Sequence, residues 1–230
     1  LFDLAAFNQG DFVRAAEPAI LAETISRVLY PNDTTDGGRE LRLKQEYFFT
    51  AASVQDLMRR FAATQTDFTR LPDMVAIQLN DTHPAIAVAE MTRILIDTHG
   101  LSFETAFVTT RRTLNYTNHT LLPEALEKWP YDLMASVLPR HMQWIHRIDD
   151  CHYKANLDRP ESTRIIDHGE VRMGNLAFIG ANRVNGVSEL HTDLMRKTVF
   201  REFEAMHPDR IVNQTNGVTQ RRWLYTCNPG

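Results

Sequence analysis

The sequence is short of lysine, cysteine and long apolar runs, and these shortages narrow what the chain can be. Lys44, Lys128, Lys154 and Lys197 are the only lysines; the remaining basic residues are arginine. Cys151 and Cys227 lie far apart and outside any metal-ligand spacing, which fits two free thiols in a reducing compartment. No apolar run approaches the roughly 20 residues that span a bilayer. The nine histidines form no His-Glu-x-x-His array, and His141 with His146 misses the i, i+4 spacing of helical metal ligands, so no metal site is expected. There is no Gly-x-Ser-x-Gly nucleophile elbow. The loop Asn32 to Gly38 lacks the acidic order of an EF-hand and is followed by no Gly-Lys-Ser/Thr. A net charge of -4 gives no electrostatic case for binding nucleic acid. The N-terminus has neither an initiator Met nor a basic region before an apolar one, and the chain stops in the turn residues Asn228-Pro229-Gly230. No signal peptide is expected, and both ends read as cuts.

What is present is an ordinary globular balance. Of 230 residues, 43% are hydrophobic and 23% charged, enough for one large domain or one domain and part of another. Helical stretches alternate with short apolar runs, which favours an α/β layer architecture. Asp11 can cap a helix from Phe12, which Pro18 should interrupt. Arg27 to Tyr30 reads as a short strand and Pro31 to Gly38 as a loop. Apolar residues from Leu41 to Phe61 recur at helical spacing. Val75 to Leu79 reads as a buried strand, and Pro84 fits the first turn of a helix reaching Thr98. Ser102 can cap Phe103 to Thr113, Asn115 to Thr120 breaks the pattern, and Pro123 opens a helix through Lys128. A further helix runs from Pro139 to Asn156. His152 to Met173 reads as irregular, Leu176 to Ile179 as a strand, Val187 to Met206 as a helix, Ile211-Val212 as a strand, and a last helix starts near Arg221.

Three polar loops could carry chemistry. Asn80-Asp81-Thr82-His83-Pro84 joins a strand to a helix, and ligands of open α/β sheets bind outside such strand ends. Asp81 or Thr82 could equally serve only as a helix cap. Tyr116-Thr117-Asn118-His119-Thr120 gathers polar groups ahead of Glu124 and Glu127, which one helical turn would place on one face. Those two glutamates are equally an ordinary helix start. Thr215-Asn216-Gly217-Val218-Thr219 is by default a turn. Each motif alone supports no more than polar loops at strand ends.

In combination the motifs resemble the α-glucan phosphorylases, the family of glycogen, maltodextrin and starch phosphorylases. The resemblance rests on Ile25 to Asp33, Glu40 to Phe48, Ala76 to Pro84, Tyr116 to Thr120, Val184 to Val187 and Thr215 to Thr219, in the family's order. It spans nearly the whole chain. It implies a helix-rich, Rossmann-like half of a two-domain GT-B-type glycosyltransferase. Residues 1–212 would be the later part of the N-terminal domain and residues 213–230 the start of the C-terminal cofactor domain. Family members are cytoplasmic homodimers that use pyridoxal phosphate to cleave α-1,4-glucan ends with inorganic phosphate, releasing glucose 1-phosphate.

The resemblance also implies roles. His119 and Asn216 would hold the sugar's 6-hydroxyl, with the His119 carbonyl near the developing positive charge. Asp81, His83, Thr120, Glu124 and Glu127 would line the pocket beside the glucose. Asn32 and Asp33 would lie on a gating loop, and Val187 near glucose and cofactor. Arg59 and Arg60 match a pair that binds an activating phosphate in animal relatives. None of the four lysines sits in the context of the family's cofactor lysine, so this segment alone is expected to be inactive. The alternative is a non-catalytic carbohydrate-binding or structural α/β module. Three residues depart from the family pattern. Gln220 replaces Pro, which loosens the turn before Arg221. Thr34 replaces the Asn of animal relatives on the gating loop. Pro18 falls in the helix of the family's dimer contact.

Overall fold

A computed structural model describes residues 2–155 and 160–228 of the chain. Its centre is a four-stranded, wholly parallel sheet in the order β1-β2-β6-β7. The strands are β1 (Ile77–Asn80), β2 (Leu114–Thr117), β6 (Val184–Gly186) and β7 (Ile211–Asn213). Parallel neighbours cannot be joined by tight hairpins, so every connection must cross over. From β1 to β2 the chain passes through α5 (Ala87–Asp97) and α6 (Phe103–Thr113). From β6 to β7 it passes through α10 (Glu189–Lys197) and α11 (Arg201–Met206). The longer passage from β2 to β6 holds α7 (Tyr131–Val137), α8 (Pro139–Ala155) and α9 (Met173–Gly180). It also holds a small antiparallel sheet, β3-β5-β4, made of β3 (Lys128–Pro130), β4 (Ile166–Asp167) and β5 (Glu170–Arg172). Ahead of the parallel sheet come α1 (Leu4–Asn8), α2 (Phe12–Arg27), α3 (Asp36–Ala62) and α4 (Leu71–Met74); α12 (Gln220–Cys227) follows it. The expected helix-rich α/β class is what the chain adopts. Among the described residues no helix is long and apolar enough to cross a membrane.

Several elements follow directly from local chemistry. Asp11 accepts the Arg14 N–H at 3.1 Å and Ser102 the Thr105 N–H at 3.2 Å, the N-caps expected of both residues. Other local readings give way to tertiary context. Pro18 sits inside α2 without ending it, because Arg14, whose carbonyl loses its partner there, is exposed to water. Val28 to Tyr30 forms a bend, not a strand: no neighbouring strand pairs with it, and Tyr30 takes φ 56°. The expected loop ends early, because Thr35 caps α3 through the Gly38 N–H at 3.1 Å. Gly38 lies against the Asn32 carbonyl so closely that a Cβ would collide with it. The helix expected from Pro84 begins at Ala87, after a run of turns.

The later corrections share one cause. Asn115 to Thr117 is a strand because β1 and β6 flank it. Beyond Pro123 there is one 3-10 turn, then β3. Leu176 to Ile179 is helical, within an α9 whose eight residues are all buried. An apolar run that short fits a buried strand or a buried helix equally. Gly180 settles the packing: a Cβ there would lie 2.4 Å from the Val88 methyls, so α9 meets α5 at a glycine. Much of the stretch read as irregular between His152 and Met173 is α8, β4 and β5, and Val187 to Met206 divides into α10 and α11. Leu1, Asn156, Pro229 and Gly230, on which the readings of the termini and of the end of α8 fall, lie outside the described residues.

The helical layer is tied together by a buried ionic knot. Glu90 of α5 is fully buried. It accepts from Arg93 at 2.7 and 2.9 Å and from Gln55 of α3 at 3.2 Å, and lies 2.6 Å from His141 Nε2 of α8. Burial alone would push the Glu90 carboxyl up, but Arg93 and His141 outweigh it and hold the pKa at about 2. Because that value lies below the ordinary 4.5, the stabilisation is complete above about pH 4.5 and fades as pH falls through about 2. Glu90→Gln should therefore cost about 3 kcal/mol in urea unfolding at pH 7. It should also flatten the stability curve between pH 4.5 and 2; an unchanged acid limb would mean the knot contributes nothing to it.

Candidate functional site

Parallel pairing puts the carboxyl ends of all four strands on one edge of the sheet, and the loops that follow them gather there. After β1, Asp81 turns the chain with φ 64°, a conformation Asp tolerates better than most residues. Its N–H reaches the Thr117 carbonyl at 2.9 Å, and its Oδ1 accepts the Thr82 N–H at 2.8 Å. After β2, the wholly buried Asn118 donates its N–H to the Asn185 carbonyl at 3.0 Å and its Nδ2 to the Tyr116 hydroxyl at 3.1 Å. Its Oδ1 accepts the Thr120 N–H at 3.2 Å. That turn pushes His119 out to solvent, where its Nε2 lies 2.6 Å from Asn80 Oδ1. The Asn216 N–H donates to the Val187 carbonyl at 3.1 Å, which ties the loop after β7 to the loop after β6. Asp81, His119, Thr120, Val187 and Asn216 thus share one edge, although they lie up to 135 positions apart in sequence.

Beside this edge is an ionic cluster built from α3 and two of the loops. His83 Nδ1 lies 3.6 Å from Glu46 Oε1 and 3.9 Å from Glu127 Oε1, ion-pair distances longer than hydrogen bonds. Arg42 reaches Glu127 at 3.3 Å, Glu46 at 3.5 Å and Asp33 at 2.8 Å. Its guanidinium also lies over the Tyr30 ring, 5.6 Å from the centroid. Glu127 and Glu46 together raise the His83 pKa to about 10. Burial pushes the Glu46 carboxyl up to about 7, against the pull of His83 and with a further push from Glu127. A cavity of about 210 Å³ opens between this cluster and Leu29, Phe49 and Pro84. Glu46, His83 and Glu127 bring three possible ligand atoms within 4.8 Å of one another, a group that no spacing in the sequence reveals. Arg42 already supplies a cation to both carboxylates, so the cluster balances its charge with side chains.

Not every residue singled out from the sequence joins these groups. Glu124 is exposed on the 3-10 turn, while Glu127 is half-buried in the cluster, so the two do not share a helical face. Asp33 enters the cluster through Arg42, whereas Asn32 is exposed and accepts the Thr34 N–H at 3.0 Å. Arg59 and Arg60, both exposed at the end of α3, pair with Asp56. Conversely, the sequence assigned no site role to Arg42, Glu46 or Tyr30, and Asn80 stood out only as part of its polar loop. The i, i+4 spacing of Arg42 and Glu46 was a signal, but it is the spacing of any helix-surface pair.

The family model for carbohydrate phosphorylases matches residues 1–230, the whole chain. The chain belongs to the carbohydrate phosphorylase family. Glycogen phosphorylase of Chlamydia pneumoniae is 46% identical over 238 residues, covering 99% of this chain and 29% of that protein. The liver glycogen phosphorylases of Ovis aries and Homo sapiens are each 46% identical over 247 residues, covering all of this chain and 29% of each relative. The chain therefore spans less than a third of the length of these relatives. Within this chain, the His83 cluster makes a direct prediction. The His83 pKa lies above the ordinary 6.5, so the stabilisation it gains chiefly from Glu127 is present near pH 6.5 and is lost as pH rises through about 10. In an NMR titration the His83 ring should remain an imidazolium at pH 7. Glu127→Gln should move its midpoint down toward 6.5, and a midpoint that stays put would remove Glu127 as the cause.

Proposed function

We propose that this chain is part of an α-glucan phosphorylase, an enzyme that cleaves terminal α-1,4-linked glucose with inorganic phosphate to give glucose 1-phosphate. The observation that carries the reading is the gathering of Asp81, His119, Thr120, Val187 and Asn216 on one sheet edge, within a chain that matches the family from end to end. In this reading His119 and Asn216 hold the sugar's 6-hydroxyl. Asp81, His83, Thr120 and Glu127 line the pocket beside it, with Glu124 at its margin. Asn32 and Asp33 gate the cleft, Val187 packs near glucose and cofactor, and Arg59 with Arg60 form a phosphate-responsive pair. The parallel sheet supports assignment of residues 1–212 to a Rossmann-like domain of a GT-B-type enzyme, with residues 213–230 entering the second domain. A homodimer is the assembly that the family suggests. The exposed, unbridged thiols of Cys151 and Cys227 support a cytoplasmic setting.

Pyridoxal phosphate, when bound, supplies a phosphate that relays a proton to and from the substrate phosphate. The lysines of this chain do not fit its attachment. Lys44 pairs with Glu40 on α3, Lys128 with Glu170 in the small sheet, and Lys154 and Lys197 lie in the last turns of α8 and α10. None lies in a loop at the carboxyl edge of the parallel sheet. The cofactor therefore belongs to the rest of the protein, and residues 1–230 alone, given pyridoxal phosphate, phosphate and maltoheptaose, should release no glucose 1-phosphate. Detectable release would overturn that assignment.

The full-length protein tests the main reading. It should phosphorolyse maltoheptaose, and His119→Ala should lower kcat/KM by about 10- to 100-fold, the cost of one or two lost hydrogen bonds to substrate. Turnover by wild type with no effect of the substitution would take His119 out of the site. Binding of maltoheptaose without turnover by the full-length protein would favour a carbohydrate-binding module instead.

A further inference from the structure

Asn80 is the last residue of β1, opposite Thr117 of β2, and the strand pairing fixes its backbone. Its side chain is exposed at the carboxyl edge, and its Oδ1 lies 2.6 Å from His119 Nε2. An amide oxygen only accepts hydrogen bonds. A neutral imidazole carries one N–H and one bare nitrogen, and the hydrogen bond made by one nitrogen decides the state of the other. With Oδ1 facing it, Nε2 must hold the proton. Nδ1, the other ring nitrogen, is then a bare acceptor.

The surrounding loop makes this contact decisive. Asn118 is wholly buried, and its backbone N–H and side-chain Oδ1 fix the chain on both sides of His119. The His119 backbone is therefore set, but its exposed ring retains rotation about χ1 and χ2. Among the contacts described for that ring, the one from Asn80 removes this freedom. We propose that Asn80 is a positioning residue: it holds His119 as the Nε2–H tautomer and presents Nδ1 as the acceptor for a sugar hydroxyl. This rests on the reading above, in which His119 contacts the sugar. It assigns a role to a residue that touches no substrate, and it specifies which partner donates: the hydroxyl gives its hydrogen to His119. A sugar carrying an ether or no group at that position offers His119 nothing to accept.

A mutant cycle in the full-length enzyme with its own cofactor tests this, read as kcat/KM for phosphorolysis of maltoheptaose. Asn80→Ala alone should lower kcat/KM about 10-fold, the equivalent of one hydrogen bond. On top of His119→Ala it should cost less than about 2-fold, because a residue acting only through His119 has nothing left to position. Asn80→Asp keeps an acceptor in the same place and cannot donate, but its charge favours the imidazolium, so it should recover most of the wild-type value only at alkaline pH, where the ring is neutral. Three results would overturn the proposal. The first is that Asn80→Ala costs nothing, and the second is that it costs the same in both backgrounds; either removes Asn80 as a positioning residue. The third is that Asn80→Asp stays as poor as Asn80→Ala at alkaline pH, which would mean that the amide donates and the tautomer is reversed. Absence of phosphorolysis by the wild-type enzyme is a different failure. It would remove the glucan phosphorylase reading itself and this role with it.

Discussion

The candidate site depends on the pairing of β2 between β1 and β6. Leu114 to Thr117 lies in parallel register with Ile77 to Asn80 on one side, and Tyr116 and Thr117 with Val184 and Asn185 on the other. The ladder continues beyond the strand ends, since Asp81 donates to Thr117 and Asn118 to Asn185. Side chains repeat the connection across the sheet. Gln78 donates to Thr117 at 2.8 Å and to Asn185 at 3.1 Å, and Thr117 donates to Asn185 at 2.9 Å. Slipping β2 by one residue would turn the fully buried Tyr116 to the opposite face. It would also withdraw the Asn118 anchor that presents His119. The geometry of the loops at the carboxyl edge is thus set by a strand of four residues.

A buried and a half-buried glutamate show how partners decide the cost of a charge. Glu90 is wholly and Glu46 partly withdrawn from water, on helices of the same layer. Glu90 receives short contacts from Arg93 and His141, and its carboxyl is held at about 2. Glu46 has His83 and Arg42 only at 3.6 and 3.5 Å and a second carboxylate beside it, and its carboxyl rises to about 7. The first arrangement joins α3, α5 and α8. The second lies at the margin of the carboxyl edge, next to a cavity. Arg42 connects it to Asp33, so the loop proposed as a gate is joined electrostatically to the pocket it would cover.

Legibility in the sequence followed the range of the forces involved. The capped α6 and the long periodic face of α3 were readable because those signals lie within a few turns of one helix, although the Thr35 cap of α3 was not. Strand β2 was not: Leu114-Asn115-Tyr116-Thr117 alternates apolar and polar side chains over four residues, too few to stand out without the partners that complete its hydrogen bonds. The all-buried α9 was mistaken for a strand because a helix buried on every side loses the polar stripe that marks its period. Pro18 looked like a helix end, and became an interior residue because water can satisfy the carbonyl it leaves free.

By itself the sequence determined the α/β class, the capped helices, the shortage of lysine and, through the order of its motifs, the phosphorylase family. It also pointed to the loops at Asp81, His119 and Asn216, though each could have been only a turn. Tertiary structure alone decided that these loops share one edge, that Asn80 faces His119, and that Glu127 leaves Glu124 to join Arg42, Glu46 and His83. The division has a physical origin. Caps, turns and helical periods are written within a few residues, whereas a sheet edge and an ionic cluster exist only after strands from distant parts of the chain have paired.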